Sequence, residues 1–175
     1  MIKVMAEVGL PKKAFDIYSD MNAKGFTPTP AIFESLLNSC GLKEEGSFPK
    51  HENNDDRIDV ALQVLVEMML KKVQVDRALA LFFSFIAHEV KREKRSTTKN
   101  TTDNNNTRNP STPAVSLVTF MHSQGLMLAE SYLHQVDALC CASKNLVGGQ
   151  FLIKVMHERG LQPSESLVAL TQASL

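Results

Sequence analysis

The sequence predicts an all-helical fold built from repeated pairs of helices. The chain has 175 residues, of which 43% are hydrophobic and 22% charged, enough apolar material for a continuous core. Aromatic residues make up only 6% of the chain and tryptophan is absent, a balance that favours helices over a β-sandwich. Apolar residues recur at helical spacing, and they predict helices near 2–8, 12–24, 30–42, 57–72, 76–91, 113–124, 129–142, 145–159 and 165–174.

A spacing pattern recurs along the chain and defines the repeated unit. In its first copy a small residue is followed by Met after seven positions, by Gly after four more and by Pro after three more. The copies are Ala14, Met21, Gly25 and Pro28; Ala61, Met68, Lys72 and Val75; Ala114, Met121, Gly125 and Leu128; and Gly149, Met156, Gly160 and Pro163. The Met residues of the last two copies, Met121 and Met156, lie 35 positions apart. A period of this length predicts an α-solenoid of stacked antiparallel helical hairpins with 35-residue repeats.

Each position of this pattern has a physical role in a helical pair. The small residue lets two helices approach closely, and Met fills the seam two turns later. Gly supplies the left-handed conformation that ends a helix, and Pro prevents its continuation. A second helix follows, whose N-terminus Thr29 or Ser164 can cap. Pro30 suits its first turn, and Phe33 and Leu36 follow at amphipathic spacing.

Two intervals between repeats are longer than the period. The first two Met-to-Met intervals are 47 and 53 positions, and we assign the excess to insertions. One is a polar insertion loop at 43–56. The other is a low-complexity insertion at 91–113, predicted to be disordered because no apolar residue can anchor it. Apart from these insertions, the sequence predicts a single helical-repeat domain over 1–175.

Charge, cysteine content and hydropathy argue against several classes of protein. The 19 basic and 19 acidic side chains give a formal net charge of zero, so no global field draws the protein onto an anionic membrane. Three cysteines, two of them adjacent, form no visible disulfide framework, and a reducing compartment is the simpler expectation. The longest apolar run, near Leu79 to Ala87, is shorter than the roughly 20 residues of a membrane span. We expect no membrane association.

No combination of residues indicates catalysis or a metal site. Cys140 and Cys141, with His122 and His134 nearby in sequence, lack Cys-x2-Cys or His-x3-His spacing, and packed thiols are the expected alternative. A Gly-rich phosphate loop, a Gly-x-Ser-x-Gly elbow, a His-Glu-x2-His helix and a paired-carboxylate motif are all absent from the sequence. The sequence therefore predicts a protein that is not an enzyme, with no metal, no cofactor and no small-molecule substrate.

The repeat resembles that of the pentatricopeptide repeat family. The resemblance rests on the 35-residue period, the Ala-x6-Met-x3-Gly-x2-Pro run and an aromatic residue five positions after the Pro, Phe33. Tetratricopeptide repeats share the hairpin, but their 34-residue signature fits less well. Pentatricopeptide proteins stack hairpins into a superhelix that binds single-stranded RNA, one base per repeat. The resemblance implies a role in RNA processing, stability or translation in mitochondria or plastids, although no targeting sequence is visible in the chain.

The resemblance also implies which residues would contact RNA. In the family a base is contacted mainly by the residue after the aromatic of the second helix and by the last residue of the repeat. Aligned on Phe33, these base-contact positions are Glu34 with Asp76, Leu81 with Ala129, and His134 with Ser164, and Thr29 closes the truncated first repeat. The family favours short polar groups at both positions. Glu34 carries a negative charge and Leu81 cannot form a hydrogen bond, so His134 and Ser164 are the pair that fits.

Two other functions are compatible with the sequence. The first is a protein-interaction scaffold, which agrees with the zero net charge and the acidic Glu34. The second is a nuclease or editing factor whose catalytic domain lies outside this chain. The chain starts and stops inside a hairpin, which predicts apolar faces at both ends, and either a piece of a longer protein or a chain that pairs with itself.

Overall fold

The regular structure of the described residues is helical. The computed structural model describes residues 1–42, 54–73, 75–97 and 109–173, and within them there is no β-strand. The prediction of an all-α fold is confirmed. The helices are α1 (Ile2–Glu7), α2 (Pro11–Ala23), α3 (Pro30–Ser39), α4 (Asn54–Leu70), α5 (Asp76–Thr97), α6 (Thr112–Ser123), α7 (Glu130–Ser143), α8 (Leu146–Glu158) and α9 (Glu165–Gln172).

The contacts among these helices divide the chain into two compact units, Met1–Phe85 and Ile86–Leu175, with the division inside α5. The single helical-repeat domain over 1–175 stays a prediction from the sequence. In the first unit, α1 and α4 each pack against both α2 and α3. In the second unit, α8 packs against α6, α7 and α9, and α7 contacts α6 and α9.

Two helices extend into the predicted insertions. Helix α4 begins at Asn54, inside the predicted loop at 43–56, because Asn and Asp residues suit the first turn of a helix. Helix α5 continues to Thr97, inside the predicted insertion at 91–113, since its last residues include neither Gly nor Pro. The rest of the first insertion at 43–53 and the core of the second at 98–108 lie outside the described residues.

The four helices that carry the repeat pattern, α2, α4, α6 and α8, end in the same geometry. In each, a backbone amide donates a hydrogen bond to the carbonyl of the pattern's Met: Phe26 to Met21 at 3.1 Å, Val73 to Met68 at 2.9 Å, Leu126 to Met121 at 2.8 Å and Leu161 to Met156 at 2.8 Å. The residue just before each donor has a positive φ: 80° at Gly25, 55° at Lys72, 66° at Gly125 and 69° at Gly160. This is a Schellman motif. The predicted left-handed helix end is confirmed, and Lys72 adopts it without being Gly.

Helices α1, α3 and α7 end in the same way, whereas the C-cap of α9, Ala173, has the right-handed conformation. Their left-handed residues are Gly9, Gly41 and Lys144, with φ values of 74°, 84° and 54°. Of the seven described helix ends with this geometry, five have Gly and two have Lys. A left-handed conformation costs an L-residue about 1–2 kcal/mol more than it costs Gly. Lys72 and Lys144 therefore carry a backbone strain that the other five ends avoid.

The small residue of each pattern lies in the core, as predicted. Ala14, Ala61 and Ala114 are completely buried. At Gly149, an added Cβ would come within 3.1 Å of the side chain of Leu167 on α9. This position therefore sets how closely α8 approaches α9.

Buried polar side chains join helices within each unit. In the first unit, the hydroxyl of the buried Tyr18 donates a hydrogen bond to the Glu67 carboxylate at 2.9 Å, which connects α2 to α4. Burial, together with this carboxylate, raises the pKa of Tyr18. Arg57 is also buried and donates to the Gly9 carbonyl at 3.5 Å, at the C-terminal end of α1, where the helix dipole favours a cation.

In the second unit, a polar network fixes the turn between α7 and α8. Asn109 donates through its amide to the Ser143 carbonyl at 2.9 Å, and Asn145 donates to the hydroxyl oxygen of Ser111 at 2.9 Å. Ser111 is completely buried, and its hydroxyl oxygen lies 2.8 Å from that of Ser143. The network therefore fixes Ser143 and Asn145, the residues on either side of the left-handed Lys144.

Candidate functional site

An open groove between α7 and α9 contains the base-contact pair that fits the family best. The groove has a volume of about 790 Å³. Its lining residues are His134, Asp137, Ala138, Cys141, Ala142, Lys144, Ser164, Ser166 and Leu170. We call it the α7–α9 groove. The structure therefore brings together His134 and Ser164, which lie 30 positions apart in the sequence.

Asp137 determines how Ser164 is presented. Asp137 is only 2% exposed. It accepts hydrogen bonds from the backbone amide of Ser164 at 2.9 Å and from the Ser164 hydroxyl at 2.7 Å. The Ser164 hydroxyl in turn accepts from the amide of Leu167 at 3.1 Å, which confirms Ser164 as the N-cap of α9. Because its single proton is already donated, the Ser164 hydroxyl can only accept a further hydrogen bond.

Sequence reasoning missed Asp137. The available signal was its place on α7, four residues after Leu133 and three before Cys140, both of which are buried. An acidic residue on the apolar face of a helix needs hydrogen-bond donors. These donors come from α9, 27 positions away, so the sequence around Asp137 does not reveal them.

His134 presents a half-exposed imidazole at the same groove. Its side chain is 48% exposed, and Nε2 lies 3.4 Å from a carboxylate oxygen of Glu130, one turn earlier on α7. An imidazole offers both a ring face for stacking and nitrogen atoms for hydrogen bonding. His134 can therefore contact a planar heterocycle in the groove.

The cysteine side chains of this unit are poor candidates for chemistry. Cys140 is completely buried, as expected for a packed thiol, and burial raises its pKa to about 12. Cys141 is half-buried, and desolvation together with the neighbouring Asp137 carboxylate raises its pKa as well. Both thiols stay protonated at neutral pH, and a protonated thiol is neither a nucleophile nor a metal ligand. Within the described residues, no group of three or more His, Cys, Asp or Glu side chains could hold a metal ion.

A second groove, in the first unit, contains the base-contact positions Glu34 and Leu81. It has a volume of about 590 Å³. The lining residues are Pro30, Glu34, Leu37, Asn38, Leu42, Met68, Val73, Arg77, Ala78 and Leu81. Most of these side chains are apolar. We call it the α3–α5 groove. The exposed Glu34 carboxylate makes no hydrogen bond or ion pair that involves the described part of the chain.

The remaining base-contact residues lie at the starts of second helices. Thr29 and Ala129 occupy the N-cap positions of α3 and α7, and Asp76 is the first residue of α5. Thr29 is at the predicted cap position, but its side chain makes no capping hydrogen bond. None of these three residues lines the groove of its unit. Of the pairs implied by the family resemblance, His134 with Ser164 is therefore the one in which both residues line a single described groove.

Comparisons with known proteins give no further assignment. No protein-family model and no curated protein matches the chain. The resemblance to pentatricopeptide repeats therefore rests on the sequence pattern. Separately, none of the described helices is long and apolar enough to cross a membrane.

Proposed function

We propose that this protein is an α-solenoid of 35-residue helical hairpins that binds single-stranded RNA. The observation that carries the proposal is the meeting of His134 and Ser164 in the α7–α9 groove. The recurring Schellman motif, placed at the same point of all four sequence copies, supports the repeat architecture. The family resemblance supplies the setting, which is RNA processing, stability or translation in mitochondria or plastids.

In this proposal the RNA lies along the groove in extended form. A base stacks on the His134 imidazole or forms a hydrogen bond with it. The Ser164 hydroxyl, whose proton is held by Asp137, accepts from an amino or imino group on the edge of that base. The protein then acts by occupancy, because it shields the RNA, remodels it or recruits a partner. No catalytic group, metal or cofactor takes part.

The test compares two histidine variants in a fluorescence-anisotropy titration with a pool of short single-stranded RNAs. His134→Ala removes a groove side chain, whereas His157→Ala removes an exposed imidazole from the last turn of α8, outside the groove. Loss of one stacked base costs about 1–3 kcal/mol, so His134→Ala weakens binding roughly five-fold or more. The His157→Ala variant binds like the wild type. Equal affinities of all three proteins would remove His134 as a base contact.

A second function, binding of a protein segment, is favoured by the α3–α5 groove. Its lining is mainly apolar, and Leu81 stands at a position where the family has a polar group. RNA binding weakens steeply as salt rises, whereas an apolar protein contact persists. A protein partner that remains bound at high salt, and that Leu81→Asp releases, would support the scaffold function over RNA binding.

A further inference from the structure

Lys144 combines a strained backbone with a position in the α7–α9 groove. Its φ of 54° places it in the left-handed region, where five of the seven comparable helix ends have Gly. The polar network around Ser111 holds Ser143 and Asn145 on either side, so the turn keeps Lys144 in this conformation. Non-glycine residues in strained conformations concentrate at functional sites. The strain is therefore a reason to ask what the Lys144 side chain does.

The charge of the groove depends on Lys144. Among the described residues that line the groove, it is the only Lys or Arg, and its exposed ammonium has no ion-pair partner within the described chain. The Asp137 carboxylate is buried and bound by Ser164, at the N-terminal end of α9. This carboxylate therefore already occupies the positive end of the α9 dipole. An anion that enters the groove has Lys144 as its cationic partner.

We propose that Lys144 binds a phosphate of the RNA backbone in the α7–α9 groove. The inference rests on the proposed RNA-binding function and adds to it a contact that is independent of base sequence. Lys144 follows the last residue of α7 and lies ten positions after His134, which corresponds to about 15 Å along the helix axis. The base at His134 and the phosphate at Lys144 therefore belong to different nucleotides of one strand. The two contacts therefore place the strand along α7.

The chain offers a matched control in Lys72. Lys72 has nearly the same φ, 55°, at the end of α4, is exposed, and lines neither groove. Lys72→Gly and Lys144→Gly each remove one positive charge and relieve one left-handed conformation. A difference in RNA binding between these two variants therefore reports the location of the lysine, because charge loss and strain relief are common to both.

The experiment measures the affinity of wild type, Lys144→Gly, Lys144→Arg and Lys72→Gly for two single-stranded RNAs of unrelated sequence over a range of salt concentrations. We expect Lys144→Gly to weaken binding to both RNAs alike and to reduce the slope of log affinity against log salt by about 0.7, the value for one phosphate contact on a single strand. Lys144→Arg and Lys72→Gly keep the wild-type slope.

The possible failures are distinguishable. Wild-type RNA binding together with equal slopes for Lys144→Gly and Lys72→Gly would overturn the role of Lys144 and leave the proposed function intact. A wild-type protein that binds neither RNA at low salt would overturn both. A loss limited to one of the two RNA sequences would also overturn the phosphate contact, because a phosphate contact does not depend on base identity.

Discussion

Each unit has one groove that is lined by two base-contact positions, and the two grooves differ in chemistry. In the α7–α9 groove these positions hold His134 and Ser164, beside the exposed ammonium of Lys144. In the α3–α5 groove they hold Glu34 and Leu81, among mainly apolar side chains. The helix ends of both units follow the same geometry. The repeat pattern therefore specifies a framework, and the side chains of each groove specify what it can bind.

The units also differ in how buried polar groups connect their helices. In the second unit the Asp137 carboxylate accepts from both the amide and the hydroxyl of Ser164, so it fixes a groove residue directly. In the first unit the Tyr18 hydroxyl donates to Glu67, and neither of these residues lines the α3–α5 groove. One buried hydrogen-bonded carboxylate thus supports a site, whereas the other contact supports the packing of α2 against α4.

Asp137→Ala should give the largest loss of stability. The substitution leaves the amide and the hydroxyl of Ser164 without their buried acceptor, at a cost of about 3 kcal/mol in the free energy of unfolding. Denaturant unfolding measures the loss. Asp16→Ala, an exposed position on α2, serves as the control and should change stability by less than about 0.5 kcal/mol. Equal effects of the two substitutions would show that Asp137 does not anchor α9.

Tyr18→Phe should destabilise the protein less than Asp137→Ala does. It removes the hydroxyl that donates to the Glu67 carboxylate but keeps the buried ring, and loss of a hydrogen bond to a charged group costs about 2 kcal/mol. The free energy of unfolding, from urea titration, tests this value. RNA affinity should stay at the wild-type level, because Tyr18 lies outside both grooves. A weaker RNA affinity of the folded variant would contradict the assignment of the Tyr18–Glu67 contact to helix packing alone.

Lys72→Gly and Lys144→Gly should each stabilise the fold. Both relieve a left-handed L-residue, so each raises the free energy of unfolding by about 1 kcal/mol. Gly125→Ala provides the reverse test, since its φ is 66° and an added Cβ meets no atom within 4 Å. It should lower stability by about 1 kcal/mol through backbone strain alone. Thermal unfolding of the three variants measures the predicted gain for the Lys→Gly variants and the predicted loss for Gly125→Ala. A loss of stability in either Lys→Gly variant would show that its lysine carries no backbone strain.

Glu34→Gln should have the smallest effect and sharpens the contrast between the grooves. It removes a negative charge from the α3–α5 groove without changing the size of the side chain. If RNA lies in the α7–α9 groove, the affinity rises by no more than about two-fold, through long-range electrostatics that salt screens. Anisotropy titration measures this change. A large gain in affinity would instead place the RNA against Glu34.

The sequence was sufficient for the framework because each of its signals is local. Apolar spacing set the helices, and the offset from Met to Gly set the helix ends at Gly25, Gly125 and Gly160. The alignment of the repeats on Phe33 paired His134, at the position of Glu34, with Ser164, the last residue of the same repeat. It did not reveal the left-handed Lys144, because that residue ends a second helix and lies outside the Met-to-Gly pattern.

Other features depend on contacts between distant residues, and the sequence could not specify them. The hydrogen bond from the Ser164 hydroxyl to the Asp137 carboxylate joins residues 27 positions apart. The turn around Lys144 depends on Ser111, which lies more than 30 positions earlier. The continuation of α5 to Thr97 was missed for another reason: a polar, low-complexity composition was taken to predict disorder, although Lys, Arg and Glu are good helix formers.

The most direct test of RNA binding in the α7–α9 groove is photo-crosslinking with 4-thiouridine-substituted single-stranded RNA, followed by mass spectrometry of the crosslinked peptides. We predict crosslinks on peptides that contain 130–144 and 164–172. The crosslinks should decrease with rising salt and should be lost when excess unlabelled RNA competes. Crosslinks confined to the peptides of the α3–α5 groove, or no competable crosslink at low salt, would contradict the account.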